Sequence, residues 1–155
     1  DLIVTTGGIS AGRADYIPDA MELLGCRWLV SGVRMQPGKP VRTGRINDVA
    51  IVCLPGNPVA VAACSTLFLA PVIRQLLGKH APPRWRMVTL STDTQGNTKR
   101  PAFRLAVSQG DDTARVPTWQ GSGDLAHASG TQGLVELPTQ ATIPAGTVVP
   151  MTSWS

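Results

Sequence analysis

Residues 49–77 limit the possible folds more than any other stretch. Val49-Ala-Ile-Val-Cys-Leu54 is a short apolar run rich in β-branched residues, and Pro55-Gly56-Asn57-Pro58 follows at once. A long apolar stretch from Val59 to Ala70 comes next, without strand punctuation, and the helix would run on to Leu77. This reads as buried strand, tight loop and buried helix, with Gly78 as the stop. Asn57 can cap the helix, and Pro58 suits its first turn, where a missing N–H costs nothing. Gly56 lets a ligand approach the backbone. A strand entering a helix this way collects free N–H groups and a positive dipole end at one point, which attracts anions. An ordinary strand–helix turn would look the same.

The segments before it repeat the theme. Leu2–Thr5 reads as a strand, 6–12 as a glycine-rich loop (Thr6-Gly-Gly-Ile-Ser-Ala-Gly12), and Asp15–Leu24 as a helix. Ile17, Ala20, Met21 and Leu24 would share a face of that helix, and Gly25 would end it. Trp28–Val33 is a second strand, and Gln36-Pro-Gly-Lys-Pro40 a second stiff loop. Val41–Asn47 reads as a short hairpin or edge excursion turning near Gly44. Strands alternating with helices predict an α/β domain with a mostly parallel sheet. The loops 6–12, 36–40 and 55–58 would then share its carboxyl edge, where such sheets bind ligands.

Ala81-Pro-Pro83 reads as a linker, after which the pattern changes. Trp85–Thr92, Phe103–Ser108, Ala114–Trp119, Leu134–Leu137 and Thr147–Met151 are short strand candidates between turn residues, which predicts a small all-β barrel or sandwich. The expected division is 1–80 for the α/β part and 81–155 for the β part. The chain lacks an initiator Met and starts directly in a strand, so a preceding N-terminal part is expected.

Charge narrows the ligand. Net charge is +4, with eight Lys/Arg against five Asp/Glu in residues 1–80 and six against five beyond. So mild an excess suits a small anion better than a nucleic-acid backbone. Cys26, Cys53 and Cys64 are an odd number without metal-ligand spacing, which favours a reducing cytoplasm. Pro71 and Arg74 interrupt the long apolar run and argue against a membrane span.

Lys39, between Gly38 and Pro40, is a point cation on a stiff loop that suits phosphate or another oxyanion; a solvated surface lysine is the plain alternative. Ser10 and the amides near Gly7 and Gly8 can donate to the same anion, or simply form a turn. Asp15 can hold magnesium bound with a phosphate, or serve as a helix-start acid. Arg100, Arg104 and Ser122 are anion candidates whose spacing alone fits surface charges and a turn serine better. His80 and His127 have no partner pattern, and neither a nucleophile–base pair nor a zinc motif appears.

Together, the glycine loop with Asp15-Tyr16, then Pro37-Gly-Lys-Pro40, then Leu54-Pro-Gly-Asn-Pro58 resemble the molybdopterin molybdenumtransferase family, the MoeA and gephyrin E-domain type. The likeness covers 1–78 closely. Over 81–155 it is carried by Arg100–Arg104, Gln120–Leu125 and Gly133–Pro138. It implies a molybdopterin-binding-like first domain and a small β-structure after it. It also implies a homodimeric enzyme that takes adenylylated molybdopterin and molybdate, releases AMP and uses Mg2+. By this likeness Asp15 and Lys39 would be catalytic, with Asp15 at the metal. Gly7, Gly8, Ser10 and Gly12 would bind substrate, as would Pro37, Gly38, Lys39 and Pro40 and then Pro55, Gly56, Asn57 and Pro58. Arg100 and Ser122 would join them from the second domain. Three positions depart from the pattern: many members are basic at Gln36, many have Ser at Ala60, and the second arginine usually falls two residues after the Phe, whereas Arg104 follows Phe103 directly. A non-catalytic pterin- or nucleotide-binding module, or a nucleotide or sugar-phosphate transferase, are the competing readings.

Overall fold

A computed structural model describes the chain except residues 11, 13, 14, 80–83, 111, 119–125 and 155. It divides into two units: Asp1–Val33 with Gly38–Ala81, and Arg34–Pro37 with Pro82–Ser155. Four residues expected in the first part thus group with the second. The expected linker and Ser122 lie outside the described residues, as does the end of the Ala114–Trp119 candidate.

In the first unit, β1 (Leu2–Thr6), β2 (Arg27–Ser31), β3 (Arg42–Ile46) and β4 (Val49–Leu54) form one sheet in the order β1-β4-β3-β2. The expectation of a mostly parallel sheet is corrected. Only β1 and β4 pair in parallel, while β4–β3 and β3–β2 are antiparallel. The reason is local. Asn47 takes a positive φ of 50° and closes a tight β3–β4 hairpin, a conformation Asn tolerates. The turn therefore falls at Asn47-Asp48, not near Gly44. Gly44 lies mid-strand, where a Cβ would sit 2.7 Å from the Arg27 carbonyl oxygen and 2.9 Å from the Cys26 Sγ.

The register has a consequence for function. Thr6 pairs with Leu54, Cys53 with Arg42, and Arg42 with Ser31. So β1, β2 and β4 run in one direction and end along one edge, with only β3 opposed.

The first helix, α1, spans Ile17–Leu23, shorter than the sequence implies. Met21 is buried, but Leu24 is 66% exposed, so it does not share the inner face as expected. Gly25 has φ 81°, and the Cys26 N–H returns to the Met21 carbonyl, a Schellman closure. The apolar run after β4 forms α2 (Pro58–Cys64), a π-helical turn (Ser65–Leu69) and α3 (Ala70–Leu76). Pro71 has no N–H to give to Leu67, and the wider turn just before it accommodates that loss. Gly78 (φ 70°) ends the helix, with the Lys79 N–H on the Arg74 carbonyl. Among the described residues, 58–76 is one helical stretch long and apolar enough to cross a membrane by length and composition. Here Cys64, Val61, Phe68, Leu69 and Val72 pack with Val52 and Leu54 of the sheet and with Val41 just before β3.

In the second unit, β5 (Trp85–Leu90), β7 (Ala102–Ser108), β8 (Thr113–Arg115), β9 (Gly133–Leu137) and β11 (Val148–Ser153) close a barrel in the order β11-β5-β8-β7-β9. A two-residue ribbon of β6 (Thr94–Gln95) and β10 (Thr142–Ile143) adds to it. Val88, Leu90, Val135, Leu137, Val149 and Met151 fill the core. The barrel choice, over a sandwich, follows from β9 pairing both β7 and β11.

Candidate functional site

The loop after β1 turns through two left-handed glycines, Gly7 (φ 79°) and Gly8 (φ 66°). The Gly7 N–H donates to the Leu54 carbonyl at 3.0 Å, so the exits of β1 and β4 are joined. A Cβ on Gly56 would lie 3.2 Å from the Gly7 Cα; two glycines are what allow these loops to touch. Ser10 is exposed and Ile9 is buried beneath it. At the loop's far end the Asp15 Oδ2 accepts from the Gly12 N–H at 2.7 Å, and the Asp15 N–H donates to the Gly12 carbonyl at 3.1 Å. Tyr16, not Asp15, caps α1, and the first-turn acid is Asp19. Asp15 therefore belongs to the loop. Among the described residues no three His, Cys, Asp or Glu side chains gather to hold a metal. A single half-buried carboxylate fits a magnesium ion that brings water and phosphate as its other ligands.

After β4, Pro55 is buried, Gly56 and Pro58 are exposed, and the Asn57 Oδ1 accepts from the Ala60 N–H at 3.0 Å. Asn57 is thus the expected N-cap. Asn57→Ala should destabilise the unit by about 1 kcal/mol, read by urea unfolding; an unchanged midpoint would deny the cap any weight. After β2 the chain leaves at Val33 and returns at Gly38. The Val33 N–H meets the Lys39 carbonyl at 3.0 Å, and the Val41 N–H meets the Gly38 carbonyl at 3.0 Å. Gly38 is buried, and its carbonyl faces the Cys64 Sγ of α2 at 4.0 Å. Lys39 is exposed. All three loops leave the same sheet edge, as their strand directions require.

Burial disfavours the thiolate form at all three cysteines. Burial pushes Cys64 up to about 12, and Cys53 and Cys26 are also raised, chiefly by burial.

In the second unit the Asn97 Oδ1 accepts from the Lys99 N–H at 2.7 Å and the Arg100 N–H at 3.2 Å, an Asx turn. The half-buried Arg100 has an Nε that is shut from solvent and meets no hydrogen-bond partner among the described residues. Arg104 is 9% exposed, and desolvation lowers its pKa. Its Nη2 donates to the Gln36 Oε1 at 3.2 Å, and it lines a cleft of about 170 Å³ with Asp93, Thr94 and Thr118. Sequence reasoning missed this burial; the one signal for it was that Arg104 shares strand parity with the core alanines Ala102 and Ala106. Asn97 carried no signal beyond its turn propensity, and the Gln36 contacts join residues more than sixty apart.

A family model described as a probable molybdopterin binding domain matches residues 1–75. Molybdopterin molybdenumtransferase 2 of Mycobacterium tuberculosis is 32% identical over 155 residues, covering 95% of this chain and 38% of that protein. The molybdopterin molybdenumtransferase of Synechocystis sp. is 31% identical over 163 residues, covering 99% and 38%. Among solved structures, a molybdopterin biosynthesis MoeA protein from Pyrococcus horikosii superposes with a TM-score of 0.79 at 27% identity, over 98% of this chain and 37% of that one. The chain thus spans under two fifths of the length of these relatives. With both units matched, and with the three glycine- and proline-bearing loops on one sheet edge, the chain resembles the molybdopterin molybdenumtransferase (MoeA) family over nearly its whole length.

Proposed function

We propose that the full-length protein inserts molybdate into adenylylated molybdopterin and releases AMP, acting as a cytoplasmic homodimer. One observation supports this most: the loops after β1, β2 and β4 leave a single sheet edge, with the β1 and β4 exits joined by the Gly7–Leu54 hydrogen bond. Gly7, Gly8 and Gly56 bring backbone close to a flat, phosphate-bearing ligand. Lys39 supplies a cation, and its backbone is already tied to Val33, so little order is lost when an oxyanion arrives. Asp15 would hold a magnesium ion beside the substrate phosphate, where the ion offsets phosphate charge. By the family likeness, Arg100 and Ser122 are proposed as further oxyanion contacts.

The test is AMP release from adenylylated molybdopterin by full-length protein, with and without molybdate. Molybdate-dependent release supports the reading. Nucleotide binding with no response to molybdate would replace it with a nucleotide-binding module or transferase.

A further inference from the structure

We infer that Gln36 is a positioning residue that sets the turn presenting Arg100. This rests on the anion-site reading above. Gln36 joins the second unit by its backbone: its N–H donates to the Pro101 carbonyl at 3.1 Å, and its carbonyl accepts from the Phe103 N–H at 2.7 Å. Its side chain does more than add a strand contact. The Gln36 Oε1 accepts both from the Asn97 Nδ2 at 2.5 Å and from the Arg104 Nη2 at 3.2 Å.

The polarity of this relay is forced. A guanidinium only donates, so the group facing Arg104 must be the Gln36 oxygen and not its NH2. That oxygen in turn must receive the Asn97 NH2, which leaves the Asn97 Oδ1 facing the other way. There it accepts from the Lys99 and Arg100 N–H groups. The buried cation of Arg104 thus orients two amides in sequence, and the second holds the backbone of Arg100. The segment Arg34–Pro37 grips the same turn a second time, because the Arg34 Nη2 donates to the Lys99 carbonyl at 3.0 Å.

The end of the relay is a residue with an unmet donor. The Arg100 Nε is buried without a partner among the described residues, and such groups signal a ligand or another missing acceptor. The ligand chemistry is an oxyanion, and molybdate is the probe. Gln36 itself carries no charge and both its side-chain contacts are internal, so it acts on the anion through Asn97 and Arg100.

The experiment measures the molybdate KM and kcat of AMP release by the full-length protein. Gln36→Met keeps length and removes the acceptor. It should raise the molybdate KM roughly tenfold and leave kcat within about twofold, since the lost link reaches the anion through a charged donor. Asn97→Ser breaks the same link from the other side and carries the same expectation if Gln36→Met does not fold. In an Arg100→Gln background, Gln36→Met should add nothing. An additive rise in that background, or a lowered melting temperature with unchanged KM, would make Gln36 a structural residue only and overturn the inference. If Lys39→Ala and Arg100→Gln both leave the molybdate KM unchanged, the anion-site reading itself fails. If they raise it while Gln36→Met does not, the relay alone is wrong.

Discussion

Lys39→Ala should lower the molybdate affinity of the full-length protein about ten- to a hundredfold, the equivalent of a lost charge-assisted hydrogen bond of roughly 1.5–3 kcal/mol. Molybdate is a dianion and needs donors aimed at it. Gln36, three residues earlier, contributes no charge, so the lysine is expected to carry more of the attraction in this loop. The backbone of the loop does not depend on the lysine side chain. Its carbonyl is held by Val33 and its neighbours by the Val41–Gly38 contact, so alanine keeps the loop in place. The side chain is exposed, and stability should stay within about 0.5 kcal/mol of the parent. Calorimetric titration with molybdate, beside a thermal melt, separates the two effects. An unchanged affinity in a normally melting variant would reduce Lys39 to a solvated lysine.

Gly133→Ala should destabilise the barrel strongly, costing about 3 kcal/mol. Gly133 pairs with Ser153 where β9 meets β11, and this pairing closes the barrel. A Cβ there would run into the Thr152 carbonyl oxygen and approach the Ser153 Cα to 2.9 Å. Both are backbone atoms of a paired strand and cannot turn aside as a side chain would. Gly130→Ala is the control. Gly130 has φ 78° but nothing within 4 Å of a built Cβ, so only backbone strain of about 1 kcal/mol is expected. Urea unfolding of both variants decides the matter. Equal losses would mean that backbone conformation, and not the strand contact, governs these glycines.

Local chemistry made much of the protein readable. The Asn57 cap, the glycine stops at Gly25 and Gly78, and the strand–loop–helix run from Val49 depend on neighbours within a few residues, and the sequence states them. So do the alternating strands after residue 85 and the family likeness of the three loops. The short ribbon of β6 and β10 escaped notice because two residues make no pattern.

Direction and partnership needed the tertiary structure. A strand's pattern of buried residues is the same whether its neighbour runs with it or against it, so the opposed β3 was not readable. Gly44 looked like a turn because a glycine between polar residues usually is one; only the crowding by Arg27 and Cys26 explains it mid-strand. Arg104 looked like a surface charge, since burying a guanidinium requires an acceptor to face it. That acceptor, Gln36, is 68 residues away. The loops and their family likeness therefore follow from sequence, whereas the relay from Arg104 through Gln36 and Asn97 to Arg100 exists only because the fold brings distant donors and acceptors within hydrogen-bond reach.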